Sequence, residues 1–114
     1  MLVAVAIAPT LVEGEDASMS HIVAQAVRVI EASGLPYDVG PMFTTIEGEW
    51  EEIMATVKKA TDAVSAFSPR VSVVLKADIR QPGADGKPRS GEITGKTKRL
   101  ATQLAMLDAE TAEA

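Results

Sequence analysis

The segment from Leu2 to Ala8 constrains this chain more than any other. It alternates strictly, with Val3, Val5 and Ile7 on one face and Leu2, Ala4, Ala6 and Ala8 on the other. A strand that is apolar on both sides has to be covered on both sides. The branched residues call for helices. The alanines call for something that approaches the backbone closely.

The rest of the chain supplies the neighbours. Ile22, Val23, Ala26, Val27 and Ile30 recur at helical spacing, with Ser18 or Ser20 as the N-cap and Gly34 followed by Pro36 as the stop. Tyr37–Gly40 and Phe43–Glu47 read as two short strands around Pro41 and Met42. After Gly48 a second helix opens on Glu49, Glu51 and Glu52, with Lys58 and Lys59 placed to complement its far end. Its predicted buried stripe is Trp50, Ile53, Met54, Val57, Ala60, Val64 and Phe67. Val71–Ile79, rich in β-branched residues, is a further strand. Gln81–Gly91 carries the turn signals Pro82-Gly83 and Asp85-Gly86. A third helix follows, with Ile93, Leu100, Leu104 and Leu107 in a narrow heptad-like stripe, and the tail after Asp108 is expected to fray.

The element order β-α-β-β-α-β is the ferredoxin-like split βαβ arrangement, an α+β fold. It predicts a four-stranded antiparallel sheet with two helices on one face, plus a C-terminal helix. One domain over residues 1–107 is expected, with 108–114 as the frayed tail. The other sheet face carries alanines and valines, so a second subunit is expected to cover it.

Composition narrows the function. The formal net charge of −5 over 114 residues disfavours a nucleic acid partner, which requires a basic face. No apolar run approaches the roughly 20 residues that span a membrane. The chain has no cysteine, which points to the cytoplasm. His21 is the lone histidine and has no ligand set around it, so no metal or other cofactor is expected. The Gly83–Gly86 spacing is too short for a phosphate-binding loop, which leaves Lys87 and Arg89 as loop charges.

One stretch departs from scaffold. Between Tyr37 and Met54 lie three of the four aromatic residues and a run of carboxylates. Glu49, Glu51 and Glu52 are explained as helix-start acids. Glu47 is not, because it ends a strand. Alternation places Phe43, Thr45 and Glu47 on one face, and Thr44 and Ile46 on the other. A carboxylate beside threonines and flat aromatic walls suits a small ligand with a ring amine or a positive charge. The same residues also fit a plain strand and core.

The segment resembles the thiamine-binding proteins of the YkoF-like group. They share the pattern Tyr-x-apolar-x-Pro-x-x-Thr-x-Ile/Val-Glu-Gly-acid-aromatic, found here at Tyr37, Val39, Pro41, Thr44, Ile46, Glu47, Gly48, Glu49 and Trp50. The resemblance implies ferredoxin-like domains that pair through their sheets into a tetramer, a dimer of dimers. It implies binding of thiamine or its hydroxymethylpyrimidine half without catalysis, as carrier, buffer or sensor. By that resemblance Glu47 takes the ring amine or cation, Thr44 and Thr45 make polar contacts, and Tyr37 and Phe43 form walls. Ser18 or Ser20 reaches in from the first helix, and Trp50 belongs to the core. The alternative is a ligand-free interaction module that only assembles chains.

Overall fold

The computed structural model describes residues 1–10, 19–87 and 90–113. In chain order the elements are β1 (Leu2–Pro9), α1 (Met19–Ala32), β2 (Tyr37–Val39), β3 (Thr44–Glu47), α2 (Trp50–Ser65), β4 (Val71–Asp78) and α3 (Glu92–Glu113). The strands form one antiparallel sheet in the order β2-β3-β1-β4. This is the ferredoxin-like fold, with β1 flanked by β3 and β4.

Register decides which side chains share a face. Val3 pairs with Ile46 and Ala77, and Val5 with Thr44 and Leu75. These residues face α1 and α2. There Val3, Val5, Ile7 and Ile46 meet Ile22, Ala26 and Ile30 of α1 and Ile53, Val57, Ala60 and Val64 of α2. Leu2 pairs with Glu47 and Asp78, and Ala4 with Thr45 and Lys76, on the opposite, open face.

Local chemistry explains the element ends. α1 stops where Gly34 takes φ +77, a left-handed conformation that glycine adopts at little cost. The turn between β2 and β3 is closed by the Gly40 N–H donating to the Phe43 carbonyl at 2.9 Å. A side chain at Gly40 would put its Cβ 2.7 Å from that carbonyl oxygen, so the turn needs glycine there. At the start of α2 the Glu52 carboxylate accepts the Glu49 N–H at 3.2 Å, as helix-start acids should.

Several expectations are corrected. Trp50 is half exposed rather than core, because it opens α2 ahead of the turn that meets the sheet. Phe67 lies past the end of α2 and is also exposed, with its ring edge-on to His21 at 5.9 Å. Lys58 and Lys59 are mid-helix. The last turn of α2 has no basic residue, and Lys58 instead pairs with Asp62 four residues on. Ser20 lies within α1, which begins at Met19, so it is not the N-cap; Ser18 falls outside the described residues, as does Arg89. β3 begins at Thr44, leaving Phe43 in the turn.

α3 is about 33 Å long at 1.5 Å per residue and extends well beyond the sheet. The radius of gyration is 17.9 Å, against about 13 Å for a compact chain of this length. Leu100, Leu104, Met106 and Leu107 along α3 are all more than half exposed.

The core rests on a few fully enclosed aliphatics, and Ile46 is 0% exposed at its centre. Ile46→Ala is expected to destabilise the fold by about 2–5 kcal/mol, the usual cost of a large-to-small core substitution. Urea unfolding followed by far-UV circular dichroism measures it.

Candidate functional site

Glu47 ends β3 on the open face and is 6% exposed. Its carboxylate does not wait for solvent. Oε2 accepts the backbone N–H of Glu92, the first residue of α3, at 2.8 Å. A helix leaves its first N–H groups unpaired and carries partial positive charge at that end, so a buried carboxylate there is doubly stabilised. Glu47 thus joins the sheet to α3 across a separation of 45 residues.

Around this joint the surface is hollowed. One cleft, of about 250 Å³, lies between the open sheet face and α3, lined by Leu2, Ala4, Asp38, Thr45, Lys76, Asp78, Ile93 and Lys96 among others. A second cavity, of about 480 Å³, lies at the strand ends, lined by Tyr37, Glu47, Glu49, Glu52, Gly91 and Thr94 among others. A third, of about 220 Å³, is bordered by Trp50, Asp78, Ile79 and Glu92. The first turn of α3 borders all three.

Ion pairs hold α3 over the cleft. The Lys96 ammonium lies 2.9 Å from Asp78 Oδ2, and Arg80 approaches the same oxygen at 3.8 Å. The hydrogen bond from Lys96 is the main cause that holds the Asp78 carboxyl below its usual range, reinforced by the positive charges of Lys96, Arg80 and Lys76. Arg99 pairs with Glu92 at 2.6 Å within α3.

The residues singled out from the sequence divide among these features. Thr45 and Glu47 share the open face as alternation requires; Thr45 lines the cleft and Glu47 the neighbouring cavity. Tyr37 pairs with Ile46 on the helix-side face, but at the strand end it lines the same cavity as Glu47. Phe43 and Thr44 border a separate hollow of about 260 Å³ beside α1, away from Glu47. Ser20 is exposed in the first turn of α1. Sequence reasoning missed Asp38, Lys76 and Lys96 in the cleft. The Tyr37-Asp38-Val39 alternation held the signal for Asp38, because the β2–β3 turn pairs Asp38 with Thr45. Among the described residues, no group of three or more histidine or acidic residues is arranged to hold a metal ion.

The sequence profile of the thiamine-binding protein family matches residues 3–100. The chain belongs to the thiamine-binding protein family. Among its relatives is the UPF0045 protein Mb1933 of Mycobacterium bovis, 46% identical over 84 residues that cover 73% of this chain and 78% of that one. The UPF0045 protein CPE1503 of Clostridium perfringens is 29% identical over 79 residues, covering 68% of this chain and 83% of the relative. Among solved structures, the hypothetical protein MJ1052 of Methanocaldococcus jannascii superposes with a TM-score of 0.72 at 31% identity, covering 88% of this chain and 94% of that chain. A Thermotoga maritima protein, TM0486, proposed to act in thiamine biosynthesis or salvage, superposes with a TM-score of 0.65 at 30% identity, covering 85% and 96% respectively.

Two outcomes follow from this geometry. Glu47→Ala removes the carboxylate that accepts the first N–H of α3 and is expected to cost about 1–2 kcal/mol locally. Hydrogen exchange should then quicken at the amides of the first turn of α3, while those of β1 stay protected. The Asp78 carboxyl is held low in the fold, so its ion pair contributes fully above the ordinary carboxylate range and is lost as the pH falls through the depressed value. Exchange along α3 should therefore rise at the acidic end of a titration, modestly because the pair is exposed, and Asp78→Asn should remove that pH dependence.

Proposed function

We propose that the protein binds thiamine or its hydroxymethylpyrimidine half, without chemistry, in the hollow where the open sheet face meets the first turn of α3. The observation that carries this reading is the cleft itself. In a chain of the thiamine-binding family, Thr45 and Asp38 line a cavity of single-ring size, floored by Leu2 and Ala4. An aminopyrimidine is flat and offers amine hydrogens, for which a hydroxyl and carboxylates are matched partners. The thiazolium of the whole vitamin is cationic and is favoured by the neighbouring acids Glu47, Glu49 and Glu52. Similarity to TM0486, itself proposed to act in thiamine biosynthesis or salvage, supports the same ligand class.

In this reading Thr45 and Glu47 are the central contacts and Tyr37 is a wall at the strand end. Phe43, Thr44 and Ser20, set apart from the hollow, contribute less. The protein acts as a cytoplasmic carrier, buffer or sensor.

The binding unit is a homo-oligomer. Two separate apolar surfaces call for partners: the open sheet face, with Val74 at 53% exposure, and the Leu100, Leu104 and Leu107 stripe of α3. Two distinct self-complementary contacts build a dimer of dimers, hence a tetramer. Burying the sheet face would enclose the cleft at a subunit boundary. These same surfaces are what favours the second reading, assembly with no ligand.

Calorimetric titration with thiamine and with hydroxymethylpyrimidine separates the two. Binding is expected, weakened about three- to tenfold in Thr45→Val, the loss of one hydrogen bond. No heat with either compound, on a folded oligomer verified by light scattering, leaves only the assembly reading.

A further inference from the structure

Four residues from the four strands stand in one row across the open face. Asp38 of β2 pairs with Thr45 of β3, Thr45 with Ala4 of β1, and Ala4 with Lys76 of β4. Paired residues of an antiparallel sheet project on the same side, so the row presents, in order, a carboxylate, a hydroxyl, a bare methyl and an ammonium. All four line the cleft under α3. The ends are three strand spacings apart, about 14 Å between backbones, too far for the two charges to neutralise each other. Neither Asp38 nor Lys76 has an ion-pair partner within 4 Å among the described residues.

The middle of the row differs from its ends. Ala4 and half-buried Thr45 leave a shallow floor on which a flat ring can lie. Lys96 reaches the cleft from α3 near Lys76, and its ammonium gives one hydrogen bond to Asp78. An ammonium carries three hydrogens, so Lys96 keeps donors to spare, and Lys76 lines the same cleft. Two ammoniums at one end suit a doubly charged phosphate oxygen cluster better than a single carboxylate.

We propose that the row Asp38–Thr45–Ala4–Lys76 is a polarised binding floor that selects the phosphate monoester of thiamine, whose phosphate sits on the thiazolium arm, away from the amine of the pyrimidine. Asp38 and Thr45 take the amine end of the ring, Ala4 lies beneath it, and Lys76 with Lys96 holds the phosphate. The inference rests on the binding function proposed above and adds to it the chemical form of the ligand and two residues that read it.

Calorimetric titration of the full chain with thiamine and with thiamine monophosphate tests this. The phosphate ester is expected to bind roughly tenfold more tightly, the effect of one charge-assisted hydrogen bond. Lys76→Gln should abolish that preference by weakening the phosphate ester to the level of thiamine, and Asp38→Asn should weaken both compounds. Both positions are exposed, and unchanged circular dichroism verifies that each variant folds. Lys59→Gln, on α2, should keep the preference; its loss there would mean that general charge and not the row is responsible, and would overturn the inference. Equal affinity for the two compounds in the natural sequence, or a preference that survives Lys76→Gln, also overturns it while thiamine binding stands. Binding of neither compound overturns the thiamine reading and this inference together.

Discussion

The hydrogen bond from the Glu92 N–H to the Glu47 carboxylate is the contact on which the rest of this architecture turns. α3 makes its principal contact with the domain beside β3. Beyond that contact, α3 is tethered by the loop after β4 and by the exposed Lys96–Asp78 pair. A buried carboxylate against unpaired helix amides is a strong local anchor, since charge-assisted hydrogen bonds are worth about twice neutral ones. It fixes the first turn of α3 at the point where three hollows meet. The residue proposed here to meet the ligand is therefore also the one that shapes the walls around it.

Register then distributes chemistry between the two sheet faces. Side chains alternate with a period of two, so each strand contributes either to the aliphatic core or to the open face. On the core side, Val3, Ile46 and Val5 are almost wholly enclosed. On the open side, alanines leave room, and charge appears only on β2, at the end of β3, and on β4. The fold separates stability from recognition by side-chain direction, within strands of eight residues or fewer.

Much of this was legible in the sequence. Leu2–Ala8 alternation required a strand covered on both faces, and the element order required the ferredoxin-like sheet. The Thr45–Glu47 spacing placed both residues away from the helices. What escaped was non-local. That Asp38, Thr45, Ala4 and Lys76 stand in line depends on three strand registers, which no single segment encodes. That Glu47 caps α3 depends on a contact spanning 45 residues. Trp50 misled for a simpler reason. Helical spacing identifies a stripe but not where along the helix that stripe first meets the sheet, and the first residue of α2 lies outside that contact. Tyr37 and Thr44 fit the motif, but pairing with Ile46 and Val39 turns both towards the helix side.

The anchoring of α3 at its root has a mechanical consequence. A rigid rod of about 33 Å, held at one end, magnifies any change in its angle. A tilt of roughly 10° at the Glu47 contact would carry the far tip through about 6 Å, more than one helical turn of rise. The positions of Leu104 and Leu107, and with them the spacing of any subunits they join, are thus set by the geometry of a single carboxylate at the edge of the cleft. Whatever rearranges that carboxylate reaches the far end of α3 as leverage, with no need for movement in the core.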